Sequence, residues 1–214
     1  MSPEDVTACF TRSDGGYQFA RWGRPIAPVV FGTDDASLGI IKTAIAEVAA
    51  LGDLRVVQTD PELGANLLVF FVSDWAELRD VPDLDRLIPD LIQLLERLDR
   101  AGANQYRSFR FDDAGAIKFC AILLRYDDQL AQVSAHTLAT AQMVHAMLLW
   151  SDTAFRQESP VAMVTDSGTC IAKPSVAALI RAAYDPVLPV ATGDRTHAHR
   201  LAARVGLLLG DLHA

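Results

Sequence analysis

The sequence predicts an α/β fold of the α+β kind, in which helices pack on a mixed sheet. Three observations predict it. A short apolar run closed by Gly32 is followed by a long helical repeat. Asn66 to Val72 is apolar on both faces, the mark of an inner strand covered on both sides. Tyr106 to Phe111 and Ala116 to Tyr126 flank the turn Asp113-Ala114-Gly115 as a hairpin. The chain has 214 residues, 50% apolar and 21% charged, a globular composition. That length buries a substantial core without disulfides or metals. No linker divides it, so a single domain over 1–214 is expected.

The elements follow in order. Arg24 to Gly32 suits a strand, with Pro25 and Pro28 confining its pairing near the start. Ser37 opens a helix whose Leu38, Ile41, Ile45, Val48 and Leu51 share a face, and Gly52 stops it. Leu54 to Val57 reads as a second strand, and Asp60 to Gly64 as a turn before the inner strand. Asp83 to Arg100 is strongly helical but carries Pro89, which makes it either kinked or two short helices. After the hairpin, Ser134 to Leu149 is a long apolar helix. Ser151 to Lys173 reads as a loop. Pro174 to Tyr184 is a helix with proline at its favoured first position, and Gly193 to Leu209 is the last helix.

Charge and composition exclude several functions. With 19 Lys+Arg against 27 Asp+Glu the net charge is −8, which does not attract a phosphate backbone, so no nucleic-acid partner is expected. No apolar run approaches the roughly 18 residues that span a bilayer. Met1 to Phe10 has neither a basic start nor an apolar stretch and does not read as a signal peptide. Cys9, Cys120 and Cys170 form no C-x-x-C pair. Cys120 reads as a buried inert thiol, while Cys9 and Cys170 are free to pair in an oxidising compartment.

Dinucleotide, P-loop and α/β-hydrolase signatures are missing, and so is H-E-x-x-H. The histidines are His136, His145, His197, His199 and His213. His136 and His145 point to opposite sides of one straight helix, being about 180° out of phase, and each histidine is more often solvated or hydrogen-bonded than a ligand. The long helix nevertheless holds a frame comparable to the zinc-peptidase motif. That motif sets two imidazoles four residues apart on one face, with a glutamate general base between them. In the same register Ala141 replaces the first ligand and Gln142 the base, and only His145 remains. An alanine binds no metal, and the amide of glutamine has no basic lone pair comparable to a carboxylate's. A third ligand in the longer pattern falls at Ser151, and the preceding glycine at Leu148.

Several stretches carry a wider resemblance: Arg21-Trp22 with Pro25, Ala65-Asn66-Leu67, Gly115-Ala116-Ile117, Gln142 to Leu149 leading into Ser151-Asp152, and Ala183 to Leu188 with Gly193 downstream. On these, about residues 21–200 resemble a bacterial family catalogued as domain of unknown function 2927, which looks like a distant, degenerate relative of the metzincins. The family usually carries Glu-Glu where this chain has Ala141-Gln142, and Gly where it has Leu148. Asp152, Tyr184 and Asp185 match family positions, although a cap and a helix end explain them as well. Trp22 and Trp150 read first as buried aromatics and second as cleft walls.

The resemblance implies a zincin-like domain: a twisted mixed sheet, one helix behind it, and the Ser134–Trp150 helix beneath. The implied function is a non-catalytic module that binds or assembles with a protein or peptide partner, with no cofactor. Its cleft would draw on Gln142, His145, Trp150, Asp152 and Tyr184. A metal-dependent hydrolase is the alternative, with zinc held by His145, Asp152 and His197 or His199. A structural subunit of a larger complex is a third reading. The resemblance suggests export to the periplasm, for which the chain shows no signal.

Overall fold

Six apolar residues in succession make Leu67–Val72 the strand around which the sheet is built. The structure, a computed structural model, describes residues 1–165 and 168–210. Its elements, in order, are α1 (Pro3–Phe10), β1 (Phe19–Ala20), β2 (Pro28–Phe31), α2 (Asp35–Ala50), β3 (Leu67–Val72), a 3-10 turn (Trp75–Asp80), α3 (Leu84–Leu87), α4 (Leu91–Arg100), β4 (Gln105–Phe111) and β5 (Ile117–Arg125). Then come a second 3-10 turn (Leu130–Gln132), α5 (Ala135–Met147), β6 (Val161–Met163), β7 (Cys170–Ala172), α6 (Pro174–Ala183), β8 (Ala191–Thr192) and α7 (His197–Gly210). The main sheet runs β2-β3-β5-β4; β2, β3 and β5 are parallel, and β4 is antiparallel to β5. The chain is thus an α+β protein with a mixed sheet, as the patterning predicts.

Alternation along the strands divides the core in two. Leu67 and Val69 on β3, with Ile122 and Leu124 on β5, face α2 and α5. Leu68, Phe70 and Val72, with Phe119, Ala121 and Leu123, face α4 and Trp75. Both faces are covered, so β3 needs no polar alternation. Its N-terminus is fastened by Asn66, fully buried, whose side-chain oxygen accepts from Ala27 N (2.7 Å) and whose amide donates to Pro25 O (2.8 Å) and Asp60 Oδ2 (3.0 Å). These bonds satisfy backbone groups that no ladder reaches.

Two expectations change and two open alternatives are decided. Leu54–Val57 forms no strand; only Val56 pairs, with Ile26, through Ile26 N to Arg55 O and Val57 N to Ile26 O. The next donor on that edge would be the N–H of Pro28, which does not exist. The segment Ser151–Lys173 is not all loop, because it holds the β6–β7 hairpin. Pro89 splits its helix into α3 and α4, each entered through an aspartate with positive φ, Asp83 (59°) and Asp90 (54°). Cys9 and Cys170 do not pair; all three thiols are free. Burial pushes the Cys9 thiol up to about 11 and the Cys120 thiol up to about 12, so neither is a nucleophile near neutrality. Among the described residues no helix is long and apolar enough to cross a membrane.

Gly32 ends β2 at φ +77°, and a Cβ there would lie 2.0 Å from the carbonyl oxygen of Phe71. Gly32→Ala therefore meets both the left-handed penalty and a backbone clash, and the expected destabilisation is about 3 kcal/mol in urea unfolding. A loss under about 1 kcal/mol would show that the turn relaxes freely.

Candidate functional site

Helix α5 starts at Ser134, whose hydroxyl accepts from Thr137 N, and runs beneath the sheet after β5. One face meets the underside of β4. There Gln105 and Arg107, two residues apart, point to the same side. Gln142 is 4% exposed and joins both: its oxygen accepts from Arg107 Nη1 at 2.6 Å, and its amide donates to Gln105 Oε1 at 2.6 Å. The Gln142 side chain, which the sequence frame sets at a general-base register, is thus held by two hydrogen bonds and carries no acidic proton.

His145 lies one turn further on and is half-buried. Its ring meets Phe155 edge-on at 5.3 Å, and Phe155 packs in the same manner on Trp150 at 4.9 Å. Phe155 has φ 61°, a conformation that costs about 1 kcal/mol or more for a bulky residue. This strained residue is what seats an aromatic ring on His145. Burial, then the nearby Arg107 cation, push the His145 imidazole down to about 3, so it is neutral at physiological pH. Burial also lowers the Arg107 guanidinium below its ordinary value. Among the described residues no carboxylate pairs with Arg107, which donates instead to the neutral Gln142.

Zinc does not fit here. The arrangement offers one imidazole, an alanine and a glutamine, and it places a guanidinium among them, which repels a divalent cation. The alternative ligand set is not assembled either. Asp152 Oδ1 accepts from Ser13 N (2.9 Å). His197 is fully buried with Nδ1 at 3.1 Å from the Tyr17 hydroxyl, and His199 is exposed. Among the described residues no group of three or more His, Cys, Asp or Glu stands ready to hold a metal. Ser151 donates to Thr11 O (2.6 Å) and so ties the end of α1 to the segment after α5. His213 lies outside the described residues.

Trp150 and Tyr184 do structural work at the C-terminal end of α5, as does Trp22. The last four carbonyls of a helix lack intrahelical donors. Trp150 Nε1 donates to Val144 O (2.9 Å), Trp22 Nε1 to Ala146 O (2.8 Å) and the Tyr184 hydroxyl to Met147 O (2.8 Å). Three aromatic donors thus replace the usual glycine cap and fix where His145 stands. Tyr184 is sealed further by Gly52, where a Cβ would come within 2.7 Å of its ring. Tyr184 therefore caps the end of α5, as the helix-end explanation of this position expects.

Larger cavities lie away from this face. A mostly apolar one of about 330 Å³ lies between α2, α6 and β7, and one of about 540 Å³ lies at the C-terminal ends of the parallel strands. Gln142 lines a gap of about 10 Å³, room for one water at most. Gln105, Arg107 and His145 line none of these cavities, and the site is a shelf beneath β4. Sequence reasoning missed Gln105, Arg107 and Phe155; alternation along β4 aims the first two together, but nothing local signals which helix lies below.

No family model, curated protein or solved structure matches this chain.

Proposed function

We propose that this chain is a non-catalytic, zincin-like binding module that takes an extended segment of a protein or peptide partner along β4. One observation carries the reading: β4 is a sheet-edge strand, paired only with β5 among the described residues, directly above the Arg107–Gln142–Gln105 network. An unpaired strand edge is a template for a further strand, with backbone bonds supplying affinity. The zincin-like part is supported by α5, which follows the hairpin strand, lies beneath the sheet and carries the degenerate frame Ala141-Gln142-Met143-Val144-His145. The non-catalytic part is supported by chemistry: the amide is clamped, the guanidinium holds its proton, and burial leaves the His145 imidazole too weak a base to ionise a water molecule efficiently.

Two measurements test it. Protein purified without chelator should contain far less than one zinc per chain; stoichiometric zinc lost on His145→Ala would overturn the non-catalytic reading. Linear peptides selected from a random library should slow hydrogen exchange at those β4 amides that do not bond to β5. Protection confined to other elements would remove β4 as the docking edge.

A further inference from the structure

The charges around the shelf are lopsided. Arg107 is a half-buried cation on a chain of net charge −8, yet among the described residues no carboxylate meets it. The groups about it are Gln142, which accepts one of its N–H bonds, and the uncharged His145 and Cys120. A partly desolvated charge without a counter-ion is costly, and a guanidinium cannot escape the cost by losing its proton near neutrality. Buried side-chain atoms lacking a partner occur elsewhere, at Arg21, Thr140 and His197, but none belongs to Arg107. The guanidinium nitrogens that do not bond to Gln142 are therefore not sealed from solvent. They open on the same side as the α5-facing residues of β4, the side on which alternate side chains of an added strand would lie.

We infer that the shelf is a carboxylate seat, and that the segment added to β4 presents an aspartate or glutamate side chain to Arg107. This rests on the docking role proposed for β4, but it names the partner's chemistry, which that role leaves open. A guanidinium and a carboxylate are both planar and make paired, charge-assisted hydrogen bonds, stronger than those to a neutral amide. Gln142 and Gln105 fit the same purpose. Gln142 holds one nitrogen of Arg107 and Gln105 holds Gln142, so the guanidinium is fixed in place and its remaining donors bind at little further entropic cost.

The test has two arms. In the first, peptides selected on the wild-type protein should be enriched in one acidic residue within an extended stretch. Changing that residue from Glu to Gln should weaken binding at least about tenfold, and the loss should vanish on Arg107→Gln, whose fold is checked by its unfolding transition. β4-bound peptides that are neutral, or that tolerate the Glu-to-Gln change, would overturn the carboxylate seat and leave the docking edge standing. In the second arm, sodium acetate should shift the Arg107 Nε–Hε and His145 ring resonances, while acetamide should not. Should no peptide protect β4, the docking role fails alone if acetate still moves these signals, and the seat fails with it if acetate does not. Inorganic phosphate bound in clear preference to acetate would also overturn the carboxylate assignment.

Discussion

Trp22→Ala is expected to remove about 5 kcal/mol of stability, enough to unfold a protein of ordinary stability or nearly so. The magnitude has two parts. Trp22 is 1% exposed, and truncating a buried tryptophan to alanine costs about 3–5 kcal/mol through lost burial and the cavity left behind. Its indole also supplies the donor for Ala146 O, and a buried carbonyl without a partner costs about 1–3 kcal/mol more. Trp22→Phe separates the two, since it keeps most of the apolar bulk and loses the bond; its expected cost is about 2 kcal/mol. Tyr184→Phe, which strips one hydroxyl from Met147 O, should cost about 1 kcal/mol. Urea unfolding measures all three. If Trp22→Phe matched wild type, the aromatic cap of α5 would be a contact without energetic weight.

That cap shows where sequence reading stops. The sheet was legible because its signals are local: Leu67–Val72 is apolar throughout, and Asp113-Ala114-Gly115 punctuates the β4–β5 hairpin. The α2 and α5 helices were legible from spacing and from capping residues such as Ser134. Helix α1 was missed although Ser2, Pro3 and Asp5 spell its start, with a reciprocal capping box and a proline at the first position. The strand expected at Leu54–Val57 failed because a ladder depends on the partner's N–H, and the partner there is Pro28. Of the candidate site, the register Ala141-Gln142-His145 could be read from the helix alone. Arg107 could not, because it is 35 positions from Gln142 and joins it only through the order in which strands pair. Trp22 and Trp150 were legible as buried aromatics and Tyr184 as a helix end, but their role as donors to the end of α5 was not. A donor ring near a helix end is indistinguishable in sequence from a ring beside a ligand.

Acid is expected to weaken the fold well above the pH at which carboxylates titrate. His145 is held down to about 3 by burial and then by Arg107; His197, fully buried beside Tyr17, is held down to about 4, chiefly by burial. The unfolded imidazole titrates near 6.5. Between these values the unfolded chain binds more protons than the folded one, so stability rises with pH in that window and is lost as pH falls through it. Linkage over the span from pH 8 to pH 5 gives about 2 kcal/mol for each histidine, about 4 kcal/mol together. Aspartates such as Asp60 and Asp127 are held below their ordinary values, and their contribution disappears only at lower pH, near the unfolded carboxylate range. The interval from about pH 6.5 to 4.5 therefore belongs to the two imidazoles. His145→Gln and His197→Gln should each flatten about half of the slope there, measured by urea unfolding at fixed ionic strength. A wild-type stability unchanged between pH 7.5 and 5 would mean that both rings accept protons in the folded state. For His145 that would place water or an anion on the shelf beside Arg107, and an imidazole of ordinary basicity there would count against the non-catalytic reading.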